Sequence, residues 1–312
     1  MINPPNEASV MLRRLYRAML RWYCRKTFTL WQRLGLHVTR CHFYEPIPDT
    51  RELDNSIWEN RSGLVGIDVD EGTQLDLLSH FKTAFKDEYD QFPREKTGVP
   101  YDYYVHNDMF EAVDAEILYC MIRHFKPRRL IEIGSGYSTL VVAKALLNNQ
   151  KDHNSHPCEC IVIDPFPNRI VRKGIAGVSR LVPEPVQKVP LAEFEKLRET
   201  DMLLIDSSHV LKIGSDVEYE YLEILPRLNE GVLVSFHDIF LPAEYRKTWV
   251  MKDHCFWNEQ YLLQAFLAFN TSFRILWAGS YMHLKHSEEL RDAFPSYDQV
   301  RDWPGSFWIR RV

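Results

Sequence analysis

The chain has 312 residues, 45% of them hydrophobic, 13% aromatic and 26% charged, with a formal net charge of −5. That is enough chain for one large α/β domain with an extension, and it excludes collagen-like, coiled-coil and disordered classes. No window approaches about 18 uninterrupted apolar residues, and the N-terminus lacks the features of an export signal, so the cytosol is the expected address. Six scattered cysteines without a C-x-x-C pair read as reduced thiols. The segment carrying His153, His156, Cys158 and Cys160 matches no standard metal spacing and reads as a polar connection.

Charge is unevenly spread. Residues 1–44 hold eight basic side chains and one acid, Glu7, which leaves 30 bases against 42 acids on the remaining 268 residues. Arg13, Arg17, Arg21 and Arg25 recur every four residues among Leu12, Leu15, Tyr16, Met19, Trp22 and Tyr23. This is the pattern of an amphipathic basic helix, suited over residues 10–35 either to the inner face of an anionic membrane or to packing on an acidic protein surface. The expected division is a basic helical segment (1–40), an N-terminal cap (41–105) with a helix over Gln74–Tyr89, and a main domain (106–312). Asp68-Val69-Asp70 in the cap has the form of a metal-binding D-x-D, but three residues are too few to specify one.

From Tyr119 onward, β-rich apolar runs alternate with helical stretches. The strands are expected at Leu130–Ile133, Ile161–Ile163, Leu181–Val182, Met202–Ile205, Val232–Phe236, Phe273–Trp277 and Phe307–Ile309. Helices are expected at Thr139–Asn148, Leu191–Glu199, Gly214–Leu228 and Asn258–Phe269. This order predicts an α/β fold, a Rossmann-like, seven-stranded and mostly parallel sheet with helices on both faces, plus a mainly helical N-terminal extension. Ligands of such sheets sit beyond the carboxyl ends of the strands.

The first strand runs into Glu132-Ile133-Gly134-Ser135-Gly136-Tyr137-Ser138-Thr139. Two glycines let the backbone turn and approach a ligand closely beside a helix N-terminus, while Thr139 at the third glycine position disfavours a pyrophosphate site. Asp164 closes the second strand, where a carboxylate accepts hydrogen bonds from ribose hydroxyls. The combination resembles the donor site of class I S-adenosylmethionine-dependent methyltransferases. The resemblance implies S-adenosylmethionine as cofactor, with Glu132, Gly134, Ser135, Gly136, Ser138 and Asp164 around it and a reversed final hairpin in the sheet.

The fourth strand ends Asp206-Ser207-Ser208-His209 and the fifth Phe236-His237-Asp238. Neighbouring strands would bring these residues to one rim. There Asp206, His237 and Asp238 are a ligand set for a divalent metal, magnesium or manganese, and His209 is the expected general base. The arrangement resembles metal-dependent O-methyltransferases of the macrocin and mycinamicin type and cephalosporin-hydroxylase-like proteins, with His237 standing where those carry an acid. Imidazole in that place either moves metal preference toward manganese, iron or zinc or makes His237 a second acid–base residue with no metal role. Longer stretches, Asp206–Val217, His237–Tyr245 and Trp257–Leu267, extend the resemblance. It implies methyl transfer to a hydroxyl, and a small-molecule or glycan-like acceptor is expected. The aromatic stretch 239–257 suits equally a cover for the site and packing against the N-terminal cap. Glu259 and Gln260 open the following helix, either reaching the pocket or, as the preferred reading, forming its solvated first turn. An acidic body without an N/D-P-P-aromatic motif speaks against nucleic acid as a partner. The rival functions are a non-catalytic membrane-associated or scaffold protein and a hydroxylase.

Overall fold

The computed structural model describes residues 7–99, 101–153 and 156–312. The chain forms two compact units, one of residues up to Glu59 together with Thr248–Phe256, the other of Asn60–Lys247 and Trp257–Val312. In the first unit the basic stretch is one long helix, α1 (Glu7–Arg33), as its four-residue arginine spacing predicts.

The second unit opens with α2 (Glu71–Tyr89), capped by Asp70, whose Oδ1 accepts from the Thr73 amide at 3.2 Å. The D-x-D pair therefore has a structural use as a helix cap. The buried Gln74 side chain donates to the Val69 carbonyl and accepts from the Ala278 amide, fastening α2 to the sheet. Then follow α3 (Asp114–Phe125), β1 (Arg129–Ile133), α4 (Tyr137–Asn149), β2 (Glu159–Ile163), β3 (Arg180–Val182), β4 (Met202–Ile205), β5 (Leu233–Phe236), α5 (Glu259–Leu267), β6 (Phe273–Ala278) and β7 (Phe307–Arg311).

The sheet order is β3-β2-β1-β4-β5-β7-β6, with β1 to β5 parallel and β7 antiparallel to both β5 and β6. The expected seven-stranded sheet with a reversed last strand is present. Both of its faces are buried, which is why the strands read as uninterrupted apolar runs. Leu130, Val162, Met202 and Trp308 pack on the side of α2, α3 and α4. Ile131, Ile163, Leu203, Val234 and Ile309 pack on the opposite side with Val217, Tyr221 and Leu263. Cys160 is buried within β2, and all six cysteines are unpaired.

Two expected helices come out differently. Leu191–Glu199 is helical only over Leu191–Phe194. The stretch expected as one helix over Gly214–Leu228 is an α-turn at Asp216–Tyr219, a π-turn at Glu220–Ile224 and a 3₁₀ turn at Leu225–Arg227. Pro226 has no amide hydrogen to continue the α pattern, and the widened turn accompanies the burial of Glu220.

Candidate active site

Strand order makes β1, β4 and β5 neighbours at the centre of the sheet, and their carboxyl ends carry the predicted residues. At the tip of β1, Gly134 has φ +89, and a Cβ there would stand 1.9 Å from the Asp206 carbonyl oxygen. Glycine is required to let the β1 turn lie against the tip of β4. In front of Gly136, by contrast, a Cβ would meet nothing within 4 Å.

The residues of this turn are held by one another. The Ser138 hydroxyl donates to Glu132 Oε1 at 2.7 Å, the Ser135 hydroxyl to Asp164 Oδ2, and the Phe166 amide to Asp164 Oδ1 at 2.7 Å. Glu132 is fully buried, and burial pushes its carboxyl up to about 8, against the lowering effect of the Ser138 and Thr139 hydrogen bonds. Its Oε2 is buried with no hydrogen-bond partner. An orphaned carboxyl oxygen beside an open glycine turn is the environment a cationic ligand would satisfy. The residues therefore fit S-adenosylmethionine, whose ammonium and sulfonium are both positive.

At the tips of β4 and β5 the four predicted chemical residues converge. Asp206 Oδ1 lies 3.4 Å from His209 Nε2 and 3.5 Å from His237 Nδ1; Asp238 Oδ2 lies 3.5 Å and 3.6 Å from the same two nitrogens. One atom each from Asp206, His209 and Asp238 falls within a common 4.8 Å. The chain bends sharply to achieve this, because His209 and Asp238 both take left-handed backbone angles, φ 57 and φ 55. Such angles cost on the order of 1 kcal/mol or more each and persist where surrounding structure imposes them.

Each imidazole is backed by a carboxylate, of which Asp114 went unremarked in the sequence. His209 Nδ1 meets Glu259 Oε2 at 2.9 Å, and Glu259 is fully buried and also accepts from the Tyr221 hydroxyl at 3.1 Å. The expectation of a solvated first turn at Glu259 and Gln260 is thus corrected: both side chains are buried, and the Gln260 oxygen accepts from the Phe240 amide. On the other side, His237 Nε2 faces Asp114 Oδ2 at 3.5 Å, and that carboxylate is fixed by the Gly305 and Ser306 amides, each at 2.9 Å. Val113, just before it, is forced to φ 70.

Since Glu259 accepts only, His209 donates from Nδ1 and turns its Nε2 toward the cluster. Burial alone would lower both histidines. Asp206 and Glu259 around His209, and Asp238, Asp206 and Asp114 around His237, overcome it and hold both well above the ordinary imidazole range. Burial likewise raises Asp206, but His237 and His209 hold it well below the usual carboxylate range, and its side chain keeps 34% exposure. Four carboxylates thus surround two imidazoles, an excess of negative charge that calls for protons or a cation. Donor separations of 3.4–3.6 Å suit bonds of about 2.0–2.2 Å to a central ion, and carboxylate-backed imidazoles are characteristic metal ligands. The residues fit a divalent metal.

Two further features adjoin the cluster. The Trp257 ring lies 4.6 Å from the His209 ring. Glu220, fully buried, accepts from the Ser207 hydroxyl at 3.1 Å and leaves its Oε1 without a partner. Of the aromatic connection, Tyr245 and Trp257 belong to this unit, whereas Thr248–Phe256 belongs to the first.

Residues 131–239 match the family model described as a methyltransferase domain, a span running from β1 to just past Asp238. An uncharacterized protein of Archaeoglobus fulgidus is 34% identical over 165 residues, which cover 51% of this chain and 72% of that protein. Among solved structures, the chain is similar to the O-methyltransferase from Bacillus cereus in complex with SAH, at 12% identity and a TM-score of 0.37 over 76% of this chain and 91% of that one. It is also similar to CalS11, a TDP-rhamnose 3'-O-methyltransferase of calicheamicin biosynthesis, at 13% identity and a TM-score of 0.38 over 83% and 99%. The matched domain spans both the glycine turn and the β4 and β5 tips, so residues 131–239 of this chain are a methyltransferase domain.

Proposed function

We propose that this chain transfers the methyl group of S-adenosylmethionine to a hydroxyl of a small-molecule or glycan-like acceptor in the cytoplasm, assisted by a divalent metal. The observation that carries this reading is the convergence of Asp206, His209, His237 and Asp238 against the turn that holds the donor: the Asp206 carbonyl itself abuts Gly134. Donor and nucleophile sites are then adjacent by construction, as in-line displacement at a methyl carbon requires.

In the mechanism, Glu132, Ser135, Ser138 and Asp164 orient the donor around Gly134 and Gly136. Asp206, His237 and Asp238 hold the metal, which when bound supplies Lewis-acid polarisation of the acceptor hydroxyl. His209 in its neutral form takes the hydroxyl proton at Nε2, while Glu259 keeps its Nδ1 hydrogen in place and stabilises the resulting imidazolium. Asp114 does the corresponding orienting work for His237. A second reading, favoured by the close grouping of Asp206, His209 and Asp238, makes His209 a further metal ligand.

The deciding experiment is transfer of labelled methyl to hydroxylated acceptors from fractionated cell extract. Transfer should depend on added manganese or magnesium, stop with chelator and return with metal. Activity indifferent to chelator removes the metal, and label found on nitrogen or carbon removes the hydroxyl.

Glu132 adds a proton-linked expectation. Its carboxyl is raised to about 8, so in the free protein it is mostly protonated at pH 7, and it costs stability as pH rises from its unfolded value of about 4.3 through that range. A cationic donor favours the ionised form, so donor binding at pH 7 should release up to about one proton. Calorimetry in two buffers of different ionisation enthalpy measures this, and Glu132→Gln should abolish the difference. Equal heats in both buffers for the parent protein would contradict it.

A further inference from the structure

We propose that α1 is a surface-lying membrane helix that docks the protein on anionic lipid. At 3.6 residues per turn, Arg13, Arg14, Arg17, Arg21 and Arg25 fall on one arc of the helix. Leu12, Leu15, Tyr16, Met19, Trp22 and Tyr23 fall on the other. Within its own unit the apolar arc is uncovered: Leu12 is 71% exposed, Trp22 62% and Leu15 58%. Large apolar side chains lined up along several helical turns and facing water identify a contact surface, because scattered single residues would need no such alignment.

The choice of occupant follows from charge and side-chain type. Glu7, at its start, is the single acid of α1, and no Asp or Glu occurs from Ala8 to Thr39, so along Arg13–Arg25 neither this helix nor the same helix of a second copy offers the arginine arc a run of carboxylates. An anionic lipid surface supplies phosphates for the arginines and acyl chains for the leucines. Tyr16, Trp22 and Tyr23 are the amphipathic rings that settle at the boundary between headgroups and acyl chains. The helix lies on the surface and does not cross it: among the described residues no helix is long and apolar enough to span a membrane. This proposal does not depend on the reaction. A methyltransferase so docked would meet acceptors confined to the membrane face.

The test is co-sedimentation of the full-length protein with vesicles of phosphatidylcholine alone or mixed with phosphatidylglycerol. Binding to the anionic vesicles should exceed binding to the neutral ones by at least about tenfold and weaken as salt is added. An Arg13→Gln, Arg17→Gln, Arg21→Gln triple variant should lose that preference, and a Leu15→Glu, Trp22→Glu double variant should lose binding altogether, with circular dichroism confirming that both remain folded. Protein left in the supernatant with both vesicle types, or bound equally to both, overturns the proposal. So does a Leu15→Glu, Trp22→Glu variant whose change is dissociation of an oligomer in light scattering, since the face would then be a subunit contact.

Discussion

Replacing His209 with alanine is expected to lower kcat for methyl transfer by about a hundredfold to ten-thousandfold, the range set by losing a positioned general base. Donor affinity should stay unchanged. The residues assigned to the donor stand at the tips of β1 and β2, and the Asp206 backbone that abuts Gly134 is untouched by a side-chain change three residues on. Metal affinity decides between the two roles open to His209. As the base, it leaves Asp206, His237 and Asp238 to hold the ion, and manganese binding followed by calorimetry should fall less than about tenfold. As a ligand, its loss should weaken the ion by about a hundredfold or more, beyond the 10- to 100-fold typical of outer-shell partners. A variant that keeps full turnover removes His209 from the chemistry. Steady-state rates, donor titration and metal titration on one preparation separate these outcomes.

The sheet and the meeting of Asp206, His209, His237 and Asp238 at its rim are legible in the sequence because each leaves a local mark. Strands buried on both faces give continuous apolar runs, and a strand tip gives a polar residue directly after such a run: Asp206 after Ile205, His237 after Phe236. Asp114 and Glu259 leave no such mark. Each is an acid in the first turn of a helix, a position that the helix dipole explains without further cause. Their partnership with His237 and His209 comes from tertiary approach across 50 residues in one case and more than 100 in the other. The break in the helix after β4 was half visible in Pro226. The burial of Glu220 that goes with it was not, because an acid within a helical pattern reads as its solvated face.

Gly134→Ala and Gly136→Ala should separate folding from donor binding at one turn. At Gly134 the added methyl carbon must occupy a point 1.9 Å from the Asp206 carbonyl oxygen, and the residue must keep φ +89. Retreat is blocked, because the Asp206 amide donates to the Ile133 carbonyl at 2.9 Å and the Gly134 amide to the Ile163 carbonyl at 2.9 Å, tying the turn to β2 and β4. Backbone strain and overpacking together should cost about 2–6 kcal/mol, a large share of the roughly 5–15 kcal/mol that holds a domain folded. Thermal melting should therefore drop by at least about 5 °C. At Gly136 the backbone is extended and the same methyl group meets no protein atom. That variant should melt within a few degrees of the parent, yet its methyl group enters the space assigned to the donor, so S-adenosylmethionine affinity should fall about tenfold or more. Unchanged melting in Gly134→Ala would mean that β1 and β4 do not meet as described, and unchanged affinity in Gly136→Ala would mean that the donor lies elsewhere.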